Sequence, residues 1–391
     1  MLNFENTKIA FKLKSNIDLN RAYVLFKVIS SPLIVKIGKA LMLFALKLRL
    51  PVSFIVKRTI FKQFCGGETI TACTPTIKAL GSQGIGTILD YSVEGKTQED
   101  DFDETTDIII DTIKKAQTEK NIPFAVFKIT GISKFSLLEK ASQKETKLSK
   151  SESNELEKIE GRILKICTAA HELNVPVFID AEESWIQDVI DTWAFQMMCL
   201  FNKEQTIVYN TIQMYRHDRL TFLKDCLKKA MDCKVKYGVK LVRGAYMEKE
   251  RERAFEMNYP SPIQTNKQAT DDDYNAAQNF ILENIQEFSL VAGTHNEESS
   301  MQLAMHLEKH GIAKGDTSVF FAQLLGMSDH ISFNLSNEGF NVAKYVPFGP
   351  VKEVMPYLLR RADENTSVAG QTGRELALIV TEKNRRKKAK A

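Results

Sequence analysis

Residues 207–243 read IVYNTIQMYRHDRLTFLKDCLKKAMDCKVKYGVKLVR, and the order of apolar and charged positions in this stretch decides the architecture. Its opening run, 207–213, is short, apolar and rich in β-branched and aromatic residues, and so is its closing run, 239–243. Between them, 219–234 places apolar residues at helical spacing within a charged segment. Two strands joined through a helix are parallel neighbours, because a parallel crossover needs an intervening element of about a dozen residues or more.

The same unit recurs on both sides. Runs at 86–91, 124–130, 175–180, 289–294, 318–324 and 342–346 complete a set of eight candidate strands, with amphipathic segments at 105–120, 155–173 and 299–310 between them. Eight such repeats predict an α/β fold, a parallel sheet closed into a (β/α)8 TIM-type barrel. A six-stranded open sheet is the competing reading, since short apolar runs are easily overcounted. The polar stretch 142–153, SQKETKLSKSES, predicts a surface loop or a helix extension. The 391 residues then divide into a basic amphipathic helical arm (1–84), the barrel (85–375) and a basic tail (376–391).

With 43% hydrophobic and 26% charged residues, the composition is that of a globular protein. The net charge of +4 conceals an asymmetry: residues 1–63 carry twelve Lys/Arg against two Asp/Glu, and the remainder carries a net −6. Between positions 22 and 56, apolar residues interleave with Lys27, Lys36, Lys39, Lys47 and Arg49. No apolar run reaches the ~18 residues of a spanning helix, and no compact segment with a small-residue cleavage site marks a signal peptide. The arm therefore either packs on the barrel or lies on an anionic membrane surface. No basic motif interleaved with aromatics points to nucleic acid.

The six cysteines form no C-x-x-C pair, which leaves reduced thiols in a cytoplasmic protein as the expectation, without a disulfide framework or zinc site. The glycines of Gly81, Gly84 and Gly86 precede a strand instead of following one, contrary to a dinucleotide fingerprint. His306 and His310 are four apart, but Leu307 stands where the H-E-x-x-H pattern needs glutamate, so no metal is expected there.

In a parallel barrel the reactive groups sit at the carboxyl ends of the strands. Those ends carry Asp90 and Glu94; Lys128; Asp180 with Glu182 and Glu183; Gln213; Lys240 and Arg243; Thr294, His295 and Asn296; and Tyr345 lies in the eighth run. A charge such as Lys128 within FAVFKITGI is costly to bury without a partner. An outward-facing lysine explains one such residue, but not the same pattern at most strand ends. Arg360 and Arg361 precede Asp363 and Glu364, either as a surface pair answered by those carboxylates or as a planar clamp for a ligand carboxylate.

The segments DAEESW (180–185), TIQMYR (211–216), KLVRGAYMEKER (240–251), GTHNEES (293–299), FAQLLGM (321–327), KYVPFGP (344–350) and YLLRRADENTS (357–367) resemble, in order, those of the proline dehydrogenase family. FCGGET (64–69) is similar to the monofunctional members. The resemblance implies a distorted barrel that binds FAD non-covalently, oxidises L-proline to 1-pyrroline-5-carboxylate as the first step of proline catabolism, and passes electrons to a membrane quinone. It places Lys128, Asp180, Tyr345, Arg360 and Arg361 in the substrate site. The two arginines and Lys128 would take the proline carboxylate, Asp180 would support them electrostatically, and Tyr246 and Leu324 would wall the ring. Gln213, Lys240, Val242 and Gly244 would lie beside the isoalloxazine. Thr265, Lys267, Thr294, His295, Asn296 and Glu364 would meet the ribityl, phosphate or adenosine parts.

Lys240 departs from the arginine that the fused bacterial enzymes carry beside the flavin, which puts flavin affinity and potential, not the activity, in question. No residue is assigned as the base that deprotonates proline. Peripheral placement on the inner membrane is the arm's functional alternative. Three readings compete: a hydroxyproline dehydrogenase, disfavoured because the Tyr345 ring crowds a 4-hydroxyl; a non-catalytic membrane-associated barrel; and an NAD-linked or metal-dependent barrel enzyme.

Overall fold

The computed structural model describes residues 2–47, 53–93, 97–143, 146–367 and 371–389, and, of their side chains, those outside 42–47, 363–367 and 371–372. Glu94, Arg49 and the side chains of Lys47, Asp363 and Glu364 lie outside the described residues.

Eight strands form: β1 (Ile85–Tyr91), β2 (Phe124–Lys128), β3 (Val177–Asp180), β4 (Val208–Gln213), β5 (Tyr237–Val242), β6 (Phe288–Gly293), β7 (Val319–Leu324) and β8 (Val342–Phe348). They pair in parallel in sequence order, and β8 returns to β1, closing the barrel. The eight-strand reading thus holds against the open sheet, because no edge is left to cover. The helix Arg219–Cys233 crosses between β4 and β5, as residues 207–243 predict.

Side-chain alternation explains what the barrel contains. Ile88, Phe124, Val126, Phe178, Tyr209, Val291, Ala322, Ala343 and Tyr345 fill its interior as one cluster, with Phe124 stacked on Phe178 at 4.6 Å between ring centroids. Two residues further along their strands, on the same inner face, stand Asp90, Lys128, Asp180 and Leu324, and four beyond Tyr209 stands Gln213. The outward positions, such as Leu89, Ile179, Leu241 and Val346, pack beneath the helices in the main core.

The polar stretch 142–153 ends one helix, Phe135–Ser142, and starts another, Lys150–Glu172, through a capping box between Ser149 and Glu152. The helix Asn16–Ile29 begins with the same device, Ser15 and Asp18. It buries Leu19, Ala22 and Phe26 against Leu378 and Ile379 of the helix Gln371–Lys388. Residue 376, where the basic tail was expected to start, lies inside that last helix. Ile29, Val35, Val56 and Phe64 instead pack on Met355 and Leu358 of the helix Met355–Ser367. The arm therefore reaches the helix that carries Arg360 and Arg361.

Candidate active site

The inner residues at the carboxyl ends converge into a buried charged ring. Lys240 Nζ donates to Asp180 Oδ1 and to Tyr345 Oη, the latter at 2.7 Å. Tyr345 Oη lies 3.4 Å from the same carboxylate as its donor. Burial, reinforced by Asp180, holds the Tyr345 phenol well above its ordinary pKa, so it stays protonated and able to donate. Lys240 also lies 4.7 Å from the Tyr345 ring centroid, a cation–π distance. These contacts answer the cost of an inward lysine on β5.

Lys128 is the register partner of Asp180 and is in electrostatic reach of Asp90 and Glu182. Asp90 is buried, accepts a 2.6 Å hydrogen bond from Ser92 Oγ, and has its carboxyl pushed up by burial, an effect Lys128 opposes. Asp90 thus belongs to the ring, although strand-end position was the only sequence signal for it. Arg361 is buried, with its guanidinium 5.1 Å from the Tyr357 ring, and Arg360 is half-buried.

The strand tips are cross-linked by Glu182. Its carboxylate accepts from Thr130 N at 3.0 Å and from Thr130 Oγ1, while its backbone oxygen accepts from Gln213 Nε2 at 2.6 Å. Burial raises the Glu182 carboxyl to about 7 despite the Thr130 bonds. Gln213 is thereby fixed on the inner face of β4.

A second string of polar residues runs along β5 and β6. Arg243 donates to Asp271 at 2.6 Å, to Thr294 Oγ1 at 2.7 Å and to Ser299 Oγ at 2.9 Å, and lies 4.3 Å from the Tyr274 ring centroid. Lys267 pairs with the other oxygen of Asp271, and the neighbouring Thr265 is exposed. Asn296 caps the helix Glu297–Lys309, accepting from Ser299 N, and its own N–H donates to Thr294 Oγ1 at 3.1 Å. His295 Nδ1 lies 2.9 Å from Ser328 Oγ, and burial, with Lys344 and Arg361 nearby, lowers its pKa to about 3, so it is neutral. Lys267, Thr294 and Asn296, scattered in sequence, are therefore linked through Asp271 and Arg243, while Thr265 stands beside Lys267 in the chain and His295 turns to Ser328. Asp271 carried no motif, and sequence reading missed it.

Gly244 has φ +137°, and a Cβ there would lie 2.5 Å from the Tyr215 ring. Its need for glycine comes from Tyr215, a neighbour within the chain. Tyr215 Oη is buried and has no hydrogen-bond partner among the described residues. Val242 and Tyr246 flank this point half-buried, and Leu324 lies between the barrel interior and the cluster around the Met355–Ser367 helix. Among the described residues no group of three or more His, Cys, Asp or Glu side chains could hold a metal ion.

A family model described as proline dehydrogenase matches residues 73–374. Among similar proteins, "Proline dehydrogenase 1, mitochondrial" of Dictyostelium discoideum is 33% identical over 86% of this chain and 66% of its own length. "Hydroxyproline dehydrogenase" of Xenopus laevis is 30% identical over 96% of this chain and 88% of its own. The crystal structure of proline utilization A from Bdellovibrio bacteriovorus shares the fold, with a TM-score of 0.71 and 20% identity over 94% of this chain. This chain spans only 37% of that protein and under two thirds of the Dictyostelium one.

Proposed function

The chain belongs to the proline dehydrogenase family, and from that premise we propose that it oxidises L-proline to 1-pyrroline-5-carboxylate, with FAD bound in the barrel and a quinone as the final acceptor. The observation that carries this reading is the Asp180–Lys240–Tyr345 ring at the carboxyl end of the barrel, with Lys128 beside it. The cationic Lys128, Arg360 and Arg361 favour an anionic ligand group, and a guanidinium matches a carboxylate in planar geometry. Arg360, Arg361 and Lys128 hold the carboxylate of the amino acid, while Tyr345, Leu324 and Tyr246 enclose its ring. Asp180 holds Lys240 in place.

The donor set suits a flavin dinucleotide. Gln213, Lys240, Val242 and Gly244 would hold the ring system, and Tyr215 Oη offers a buried polar atom in need of a partner. Thr265, Lys267, Thr294, His295, Asn296 and Glu364 would meet the remainder, with the helix start at Asn296 suited to negative charge. When bound, FAD supplies the hydride acceptor that no side chain provides. Purified protein is expected to be yellow and to bleach on anaerobic addition of proline. A colourless protein, or a spectrum unmoved by proline, would overturn the assignment.

The Xenopus relative makes 4-hydroxyproline the substrate to exclude. Tyr345 is 8% exposed and held by Lys240, so its ring has no room to swing aside. Tyr345→Ser is expected to narrow the preference for proline over trans-4-hydroxyproline roughly tenfold, the effect of one pocket group. The ratio of kcat/KM for the two substrates measures it, and an unchanged ratio assigns the exclusion to another residue.

We further place the protein in the cytoplasm, peripherally on a membrane. Ile17, Val24, Leu33, Ile34, Ile37, Leu41, Phe54 and Ile55 of the arm are all about half exposed or more, interspersed with Lys27, Lys36, Lys39 and Arg58. No helix among the described residues is long and apolar enough to cross a membrane. An apolar face with a basic rim suits an anionic bilayer surface. Each lysine or arginine near that surface is worth about 1 kcal/mol and is screened by salt. The protein is expected to float with anionic vesicles at low salt, to be released at high salt, and to lose binding in Ile37→Glu/Leu41→Glu. Equal, negligible flotation with neutral and anionic lipid would leave the arm a packing role only.

A further inference from the structure

At the amino-terminal end of the barrel, opposite the site above, the ends of the helices Ser184–Phe201 and Arg219–Cys233 are drawn together by one residue. Asn202 Oδ1 accepts from Ile207 N and Val208 N at 2.9 and 2.8 Å. Its Nδ2 donates to Val208 O at 2.8 Å and to Lys236 O at 2.9 Å, and Lys236 N returns a 3.0 Å bond to Asn202 O. Lys234, at φ +55°, turns the chain sharply after the second helix. Three residues before Asn202 and before Lys236 stand Cys199 and Cys233, which those bonds bring to adjoining helix ends, near enough for the Cys233 thiol to act on Cys199. Both are free, Cys233 exposed and Cys199 half-buried, whereas the other four cysteines are buried.

We propose that Cys199 and Cys233 form a redox modification site, a thiol pair that a peroxide converts to an intramolecular disulfide. Burial and the adjacent Cys233 thiol push Cys199 up to about 11, which keeps it protonated and leaves the exposed Cys233 to react first. The Cys233 thiolate attacks one oxygen of hydrogen peroxide, the O–O bond breaks, and Cys233 sulfenic acid and hydroxide result. The Cys199 sulfur then attacks the sulfenic sulfur; the S–S bond forms, the S–O bond breaks, and the hydroxyl leaves as water. Two thiols lose two electrons and one peroxide becomes two waters. The bond ties together the two helices that flank β4, at the end of the barrel away from the chemistry, so it acts on stability and not on proline oxidation.

The test treats the full-length protein with hydrogen peroxide, alkylates remaining thiols and maps the peptides. The expected result is a cross-linked 199–233 peptide, loss of alkylation at those two positions alone, and full reversal by dithiothreitol. Oxidised protein gains several degrees in Tm, because the closed loop restricts the unfolded chain. Cys199→Ser and Cys233→Ser, checked as folded by wild-type proline oxidation, each lose both the cross-link and the Tm gain. Continued alkylation of both thiols, or Cys233 driven to sulfinic acid with Cys199 still free, overturns the proposal.

Discussion

Arg361→Met is expected to raise the KM for proline by about 10- to 150-fold, the equivalent of the ~1.5–3 kcal/mol carried by a hydrogen bond to a charged group. The residue is buried, and its planar guanidinium matches a ligand carboxylate. Methionine preserves most of the aliphatic stem, which limits damage to the fold. Arg360→Met, at a half-buried position, follows in the same direction. Flavin content at saturating cofactor should stay near that of the parent protein. Steady-state kinetics over a wide range of proline concentration decides the matter, and a parental KM in both variants would remove the clamp.

Asp180→Ala is expected to cost about 3–5 kcal/mol of stability, the usual result of leaving one member of a buried pair without its partner. Lys240 is 5% exposed and donates directly to this carboxylate, and Tyr345 can answer only part of its charge. A Tm lower by roughly 5–10 °C is the corresponding observation. The double variant Asp180→Ala/Lys240→Met should regain much of that Tm, since no charge is then stranded, while proline oxidation stays lost. Strictly additive Tm losses in the double variant would mean that the two residues do not act as a pair.

The barrel was legible in the chain because its evidence is local. Each strand announces itself as a short apolar run and each crossover as a helical period, and eight repeats leave little choice but closure. The placement of chemistry at strand ends was also legible, since period-two alternation puts Asp90, Lys128 and Asp180 on one face once a single inner residue is fixed. Helix starts such as Ser149 with Glu152 are written within four residues.

What the sequence by itself determined, then, is the fold class, the family and the list of residues able to do chemistry. Only the tertiary structure decided which of them touch. Lys240 meets Asp180 sixty positions away and Tyr345 more than a hundred away, and both contacts depend on strand register around a closed sheet. Asp271 joins Lys267 to Arg243 from a helix with no motif. Gly244 is explained by Tyr215, on the neighbouring strand's exit. The first and last long helices, Asn16–Ile29 and Gln371–Lys388, find each other across nearly the whole chain. Periodicity is set by a residue's own neighbours, whereas a pairing is set by the lowest-energy meeting of two distant surfaces, and only the folded chain brings those surfaces together.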